Sequence, residues 1–238
     1  MRGLEKDNQR KIEYFQIKFG KVRQKSNEHD KEATYREWID KDKKKHDVYE
    51  RVYMSISGYL TKVTTTIGEF GEQFNFFFDW MDKEEPLLVL SLKSGDKYLR
   101  DILKKLPNVD FSKPVTFKPF SFEDKETKKN REGVSISQNP DDPKDTIQSY
   151  FYDTARKCSL YGYPVMQESN PNTEDWKIYF LQEMKFLRKS IAELVIPKIE
   201  EAVIDGEEKY SYQHDAGNTP IKDDDVPVVE DEEQELPF

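Results

Sequence analysis

Asp47 to Ile67 reads DVYERVYMSISGYLTKVTTTI, a run crowded with β-branched and aromatic side chains. Val48, Val52, Met54 and Ile56 fall on one side of a period-two pattern, and Tyr49, Arg51, Tyr53 and Ser55 on the other. This spacing predicts a long β-strand whose first set faces a core and whose second set faces outward. Gly58 interrupts the run, and a glycine inside a strand marks a bulge or a sharp bend. Downstream, Gly68-Glu69-Phe70-Gly71-Glu72 carries turn chemistry, Gln73 to Trp80 (QFNFFFDW) reads as a second strand and Leu87 to Lys93 as a third. Upstream, Ile12 to Gln24 (IEYFQIKFGKVRQ) alternates apolar and polar residues around Gly20 and predicts a strand or tight hairpin. Ser26 to His46 is rich in charge, with Tyr35, Trp38 and Ile39 its large apolar groups, and reads as a loop or flexible arm.

Past the third strand, Ser94 is placed to cap a helix. Tyr98, Leu99, Ile102, Leu103 and Leu106 recur at helical spacing until Pro107 and Asn108 stop it. Val115 to Glu123 and Gly133 to Ser137 read as two more strands, joined by the basic loop Asp124 to Arg131. Three strands, one helix and two strands is the order of a five-stranded OB-fold barrel with a helix between strands 3 and 4, in a mainly β chain. An all-β sandwich is the competing arrangement. Residues 1–139 then form the barrel with an N-terminal hairpin and a charged arm. Residues 140–205 form a loop region rich in Pro and Tyr, then a long C-terminal helix packed on the barrel. Its stripe runs Trp176, Phe180, Met184, Leu187, Ile191 and Leu194. Pro197 is expected to kink or end that helix, with a short continuation over Ile199 to Ile204. The stripe suits a homo-dimer contact as well as an intramolecular cover. Residues 206–238 have little to bury and are expected to be a disordered acidic tail.

Charged residues make up 36% of the 238 and hydrophobic ones 35%, with 13% aromatic. The longest apolar stretches fall far short of the roughly 20 residues that span a bilayer, so no membrane span is expected. Met1 to Arg10 is polar and predicts no secretory signal. A single cysteine, Cys158, excludes an intramolecular disulfide and points to a reducing compartment. The net charge of -9 divides unevenly: residues 1–139 carry +4, residues 140–222 carry -5 and residues 223–238 carry -8. A mildly basic body with a strongly acidic tail suits nucleic-acid binding, or a tail that serves solubility alone.

Catalytic signatures are sparse. His29, His46 and His214 lie in polar segments, and there is no H-x-x-x-H pattern, glycine-rich phosphate loop or G-x-S-x-G. Cys158 beside Lys157 reads as an inert thiol. No catalytic residue, metal ligand or cofactor is expected.

Single-stranded nucleic acid needs cations along its phosphates and aromatic faces for its bases, each stack contributing about 1–3 kcal/mol. Tyr49, Arg51 and Tyr53 on the outward side of the first long strand have that composition, although tyrosine is also common on a wet sheet face. On the second strand Phe74, Phe76 and Phe78 read as core, while Phe77 among polar neighbours is a stacking candidate; Trp80 suits either role. Lys93 ends the third strand near a phosphate path. Tyr35 and Trp38, with Lys43, Lys44 and Lys45, either fold over a bound strand or anchor the arm. Lys125, Lys128, Lys129 and Arg131 sit in the loop between strands four and five, which flanks the groove in OB-folds.

The chain closes DDDVPVVEDEEQELPF. Acids followed by Leu236-Pro237-Phe238 suit a hydrophobic pocket with a basic rim on another protein, with Asp231, Glu232, Glu233 and Glu235 as the flanking charges. This ending resembles the acidic tip of bacterial and phage single-stranded DNA-binding proteins. The body resembles the OB-fold binding proteins of tailed phages in its N-terminal hairpin, the strand broken at Gly58, the Gly68-Glu69-Phe70-Gly71 turn and the helix ending in Leu106-Pro107-Asn108-Val109-Asp110. The resemblance spans about residues 12–139 and the last sixteen. The long helix at 173–196 departs from the bacterial housekeeping pattern and leaves that family's tetramer in doubt. What the resemblance implies is a non-catalytic protein in the cytoplasm of a bacterial host. It would coat and protect single-stranded DNA in phage replication, recombination and repair, and recruit a polymerase, helicase or primase through its tip. The tail is expected to compete with DNA for the basic groove. The alternatives are a recombination mediator or annealing protein, a metal-dependent nuclease, and a structural phage protein.

Overall fold

The computed structural model describes residues 10–39, 43–68, 71–82, 84–125, 128–139, 142 and 145–207. Seven strands come before the first described helix: β1 (Ile12–Lys18), β2 (Lys21–Lys25), β3 (Thr34–Ile39), β4 (Lys45–Tyr53), β5 (Ile56–Gly68), β6 (Gly71–Asp79) and β7 (Leu87–Lys93). After α1 (Lys97–Lys105) and a 3-10 turn over Leu106–Asn108 come β8 (Val115–Glu123) and β9 (Asn130–Ser137). A small hairpin of β10 (Tyr152–Asp153) and β11 (Cys158–Ser159) leads to α2 (Thr173–Ser190), a π-helical turn (Ile191–Val195) and α3 (Ile196–Glu207).

The sheet is a curled, open one of nine strands in the order β3-β4-β2-β1-β7-β6-β5-β8-β9, where the sequence reading expected five. The additional strands have three sources, one of them the division of the long first strand into β4 and β5. Ser26 to His46 is not a loop throughout: Thr34, Tyr35, Trp38 and Ile39 are strand formers, and β3 pairs with β4 from Thr34↔Glu50 to Ile39↔Lys45. The N-terminal hairpin then joins β4 through β2 and adds β1 in parallel to β7, from Ile12↔Leu87 to Phe15↔Leu90. β9 is left at the other end of the sheet. Its outer edge is covered by α1, where Asp101 accepts the Val134 N–H at 2.6 Å and Lys105 donates to the Val134 carbonyl at 2.6 Å.

Phe19 and Gly20 turn the β1–β2 hairpin with positive φ of 53° and 68°, as a two-residue hairpin turn requires. The tip curls onto β8, where a Cβ on Gly20 would collide with the backbone at Phe120 and Ser121. The Gly20 N–H donates to the Tyr98 hydroxyl at 2.8 Å, tying the tip to α1. That helix is capped by Asp96, which accepts the Tyr98 N–H at 2.8 Å, rather than by Ser94.

The long strand read through Gly58 is two strands, and the break falls at Met54-Ser55. Gly58 serves close packing instead: a Cβ there would lie 3.2 Å from Asp79 N and Phe78 Cβ on β6. A register shift between Leu60 and Lys62 follows it.

The core lies on the concave side. Phe74, Phe76 and Phe78 are fully buried as expected, packed with Phe15, Ile17, Leu90, Phe117 and the α1 residues Leu99, Ile102 and Leu103. Met184, Leu187, Ile191, Val195 and Ile199 bring the C-terminal helices onto the same core. The helix continues through Pro197, since the π-helical turn just before it widens the hydrogen-bond ladder where proline supplies no donor. Buried Glu183 anchors α2, pairing with Lys104 at 2.7 Å and accepting from the Tyr163 hydroxyl. Burial and that hydrogen bond push the Tyr163 hydroxyl well above its ordinary pKa. Among the described residues no helix is long and apolar enough to cross a membrane.

Candidate nucleic-acid interface

Strand alternation sorts the sheet into two faces, and the pairing registers carry that sorting from strand to strand. If Phe15, Ile17, Phe74, Phe76 and Phe78 point inward, then Tyr14, Gln16 and Lys18 of β1 point outward, with Gln73, Asn75 and Phe77 of β6 and Ser91 and Lys93 of β7. The parallel register of β1 with β7, extended by three residues, sets Lys18 level with Lys93. Across the hairpin Lys18 opposes Lys21, and Gln16 opposes Arg23. The outward surface of β1, β2 and β7 thus concentrates cations.

β4 supplies the carboxylate among them. Glu50 is only 7% exposed. Arg23 Nη1 donates to its Oε2 at 2.8 Å, and Arg36 donates from Nε at 3.2 Å and from Nη2 at 3.4 Å. Burial works to raise the Glu50 carboxyl, but its hydrogen bonds with Arg36 and Arg23 outweigh it and hold the pKa below the ordinary value. Lys18 is pushed below its ordinary value, first by burial and then by the charges of Arg36, Arg23 and Lys93, against the pull of Glu50.

Rings flank this cluster. Phe77 lies half-buried on the outward side with Lys62 Nζ 5.7 Å from its centroid, and exposed Phe19 at the hairpin tip has the Arg23 guanidinium 5.5 Å away. Trp38, on the same side of β3 as Arg36, packs against His46 with centroids 5.0 Å apart. Trp80 is exposed at the end of β6, edge-on to Tyr59 at 6.5 Å. Next to it Asp79 is buried and held by Arg10 through two bonds of 2.6 and 2.8 Å, which closes that end of the surface.

Tyr49, Arg51 and Tyr53 do not join this surface. They lie on the opposite, core-side face of β4, and Tyr35 of β3 lies with them. The sequence reading turned Val48, Val52 and Met54 toward the core, but Val52 and Met54 are exposed and the buried residue in β4 is Glu50. The physical reason is that β2, β4 and β3 extend past the core, so their core-side face stays open. On it Tyr35 stacks obliquely on Tyr49 at 5.4 Å and donates to Asp47 at 2.9 Å. Tyr53 meets Phe15 edge-on at 5.8 Å and donates to Gln24 at 3.1 Å. Arg51 donates to Asp30 at 2.5 Å and lies 3.5 Å from Glu32. Its hydrogen bond keeps the Asp30 carboxyl far below the ordinary range.

Lys45 pairs with Glu37 at 2.9 Å on that same acidic face, while Lys43 and Lys44 are exposed in the β3–β4 connection, Lys43 with a φ of 61°. In the β8–β9 hairpin Arg131 pairs with Asp124 at 2.6 Å, and Lys125, Lys128 and Lys129 are exposed. Phe120 and Phe122 of β8, with centroids 5.8 Å apart, share the outward side with Arg131. The tip residues Asp231, Glu232, Glu233, Glu235, Leu236, Pro237 and Phe238 lie outside the described residues.

Of the expected residues, then, Phe77, Lys93 and Trp38 share one face, and Tyr35, Tyr49, Arg51 and Tyr53 share the other. Sequence reasoning missed Lys18, Arg23, Arg36, Lys62, Phe19 and Tyr14. A signal for some of them was present, in that Lys18, Lys21 and Arg23 flank the Phe19-Gly20 turn. Comparison with protein-family models, with curated proteins and with solved structures finds no match to this chain.

Proposed function

We propose that this protein binds single-stranded DNA without sequence preference, along the outward face of β1, β2, β7 and β6. The observation that carries this reading is the gathering of Lys18, Arg23, Arg36, Lys62 and Lys93 with the rings of Phe77, Phe19 and Trp38 on one side of the sheet. Cations at that density follow a phosphate backbone, and the rings offer stacking surfaces to bases of any identity. The order of the last five strands supports the same reading. β7-β6-β5-β8-β9, with α1 between β7 and β8, is the order 3-2-1-4-5 of an OB barrel, with β1 lying where closure of the barrel would bring the last strand. In that frame β6 and β7 are strands 2 and 3, the face that OB-folds present to oligonucleotides, and the β8–β9 hairpin is the flanking loop.

The protein acts on this reading as a coat for exposed strands in the cytoplasm of a phage-infected bacterium, with the acidic run at 223–238 addressing replication proteins. A second reading, a recombination mediator whose main ligand is another protein, draws on the acidic, tyrosine-bearing face formed by Tyr35, Tyr49, Asp30, Glu37 and Asp47.

Titration with poly-dT, followed by tryptophan fluorescence at two salt concentrations, tests the proposal. Saturable quenching that weakens with salt, at a log–log slope of about -0.7 for each phosphate neutralised, is the expected result. No binding to poly-dT, together with capture of a protein partner, would favour the mediator.

A further inference from the structure

Three cations gather at one carboxylate on the outward face. Lys18 of β1 stands beside the carboxylate, and Arg23 and Arg36 reach Glu50 from the two strands that flank β4. A purely structural ion pair needs one cation for each carboxylate. Here two positive charges are left over among Lys18, Arg23 and Arg36, within a cluster whose guanidinium side chains are only 16% and 28% exposed. Glu50 cannot swing out, because Arg23 holds it from one side and Arg36 from the other. Its negative charge is therefore a permanent part of whatever field an incoming anion meets.

We infer that this cluster is a phosphate-group site in which Glu50 is a fixed counter-charge. It holds the two guanidiniums in position and keeps the attraction for each phosphate weak enough for a bound strand to leave. The inference rests on the proposed DNA-binding reading for its physiological ligand, but the site itself recognises phosphate. One unit of charge several ångströms from a bound phosphate, near a protein surface, changes an equilibrium constant by about tenfold.

The test is Glu50→Gln, whose amide oxygen still accepts from Arg23 and Arg36 while the charge is gone. Affinity for dT20 and for inorganic polyphosphate is measured at low and high salt, with thermal unfolding as a check on folding. Expected is about 5–10-fold tighter binding of both probes at low salt, slower dissociation, and loss of the gain at high salt. Unchanged or weaker binding by a folded variant overturns the inference. Should Glu50→Gln fail to fold, Arg36→Gln provides the second arm: it removes a cation, and both probes must then bind about 5–10-fold more weakly, an unchanged affinity overturning the inference. Tighter polyphosphate binding by Glu50→Gln with no dT20 binding by either protein would keep the site and remove the DNA reading. Binding of both probes by wild type, unaltered in Glu50→Gln, would remove the counter-charge and keep the DNA reading.

Discussion

On the outward side of β2 and β4, Arg23 and Arg36 grip Glu50 beside Lys18; on the core side of the same strands, Tyr49 and Tyr53 lie among Tyr35, Asp47 and Gln24. One alternation builds both faces, and neighbouring positions along β4 end in opposite chemistry. The difference shows that burial in an overhanging strand is not the privilege of apolar residues. Glu50 is buried by arginine stems and held by charge-assisted bonds, whereas Val52, two positions on, stays exposed.

The largest effect that separates the overhang from the body is one of stability. Phe15 and Tyr53 touch on the core-side face, but Phe15 is inside the core and Tyr53 at its margin. Phe15→Ala is expected to cost about 3–5 kcal/mol in urea unfolding. Tyr53→Ala should cost about 1 kcal/mol, the worth of an exposed edge-on ring pair. Equal losses would mean that the overhang is as well packed as the body.

Next comes charge. Reversing Lys18 and Arg23 together to glutamate should weaken poly-dT binding by about 100-fold at low salt and flatten the salt slope by about 1.4, for two phosphate contacts. Arg51→Glu, on the acidic face, should change affinity less than about threefold, as expected of an exposed charge outside the path.

Asp96 separates stability from binding altogether. It caps α1, whose apolar side packs on the core, and burial raises its pKa from 3.8 to about 6. A carboxyl raised on folding favours the folded state only while protonated. Stability is therefore full below about pH 4, falls as the pH rises from about 4 through 6, and levels off above that, having dropped by at most about 3 kcal/mol. Asp96→Asn keeps a capping oxygen and should exceed wild type by about 1–3 kcal/mol at pH 8, match it at pH 4, and leave poly-dT affinity unaltered. Thermal melts across that range check it, and identical melts of the two proteins at pH 8 would contradict it.

The smallest contrast is between single rings. Phe77→Ala is expected to lose about 1–2 kcal/mol of poly-dT binding, and Tyr49→Ala under about 0.3 kcal/mol. A larger loss at Tyr49 would move the binding path to the opposite face.

Much of the body was legible in the sequence because its strands bury one clean set of side chains. Phe74, Phe76 and Phe78 could face only a core, and Leu99, Ile102 and Leu103 only a helix packed on it. The overhang was illegible for the same reason. β3 buries nothing apolar and read as a loop, while β4 read as a strand with its phase set by Val48 and Val52 in place of Glu50. The site suffered most. Lys18 and Arg23 share one hairpin, but Arg36 and Lys93 stand far from it in the chain and join it only through the pairings of β3 with β4, β4 with β2 and β1 with β7, none of which leaves a local mark.

Lysine footprinting by acetylation and mass spectrometry, with and without saturating poly-dT, tests most directly which face carries the strand. Bound DNA is expected to protect Lys18, Lys62 and Lys93 while Lys45, on the core-side face, reacts as before. Protection of Lys45, with Lys18 and Lys93 unaffected, would contradict that path.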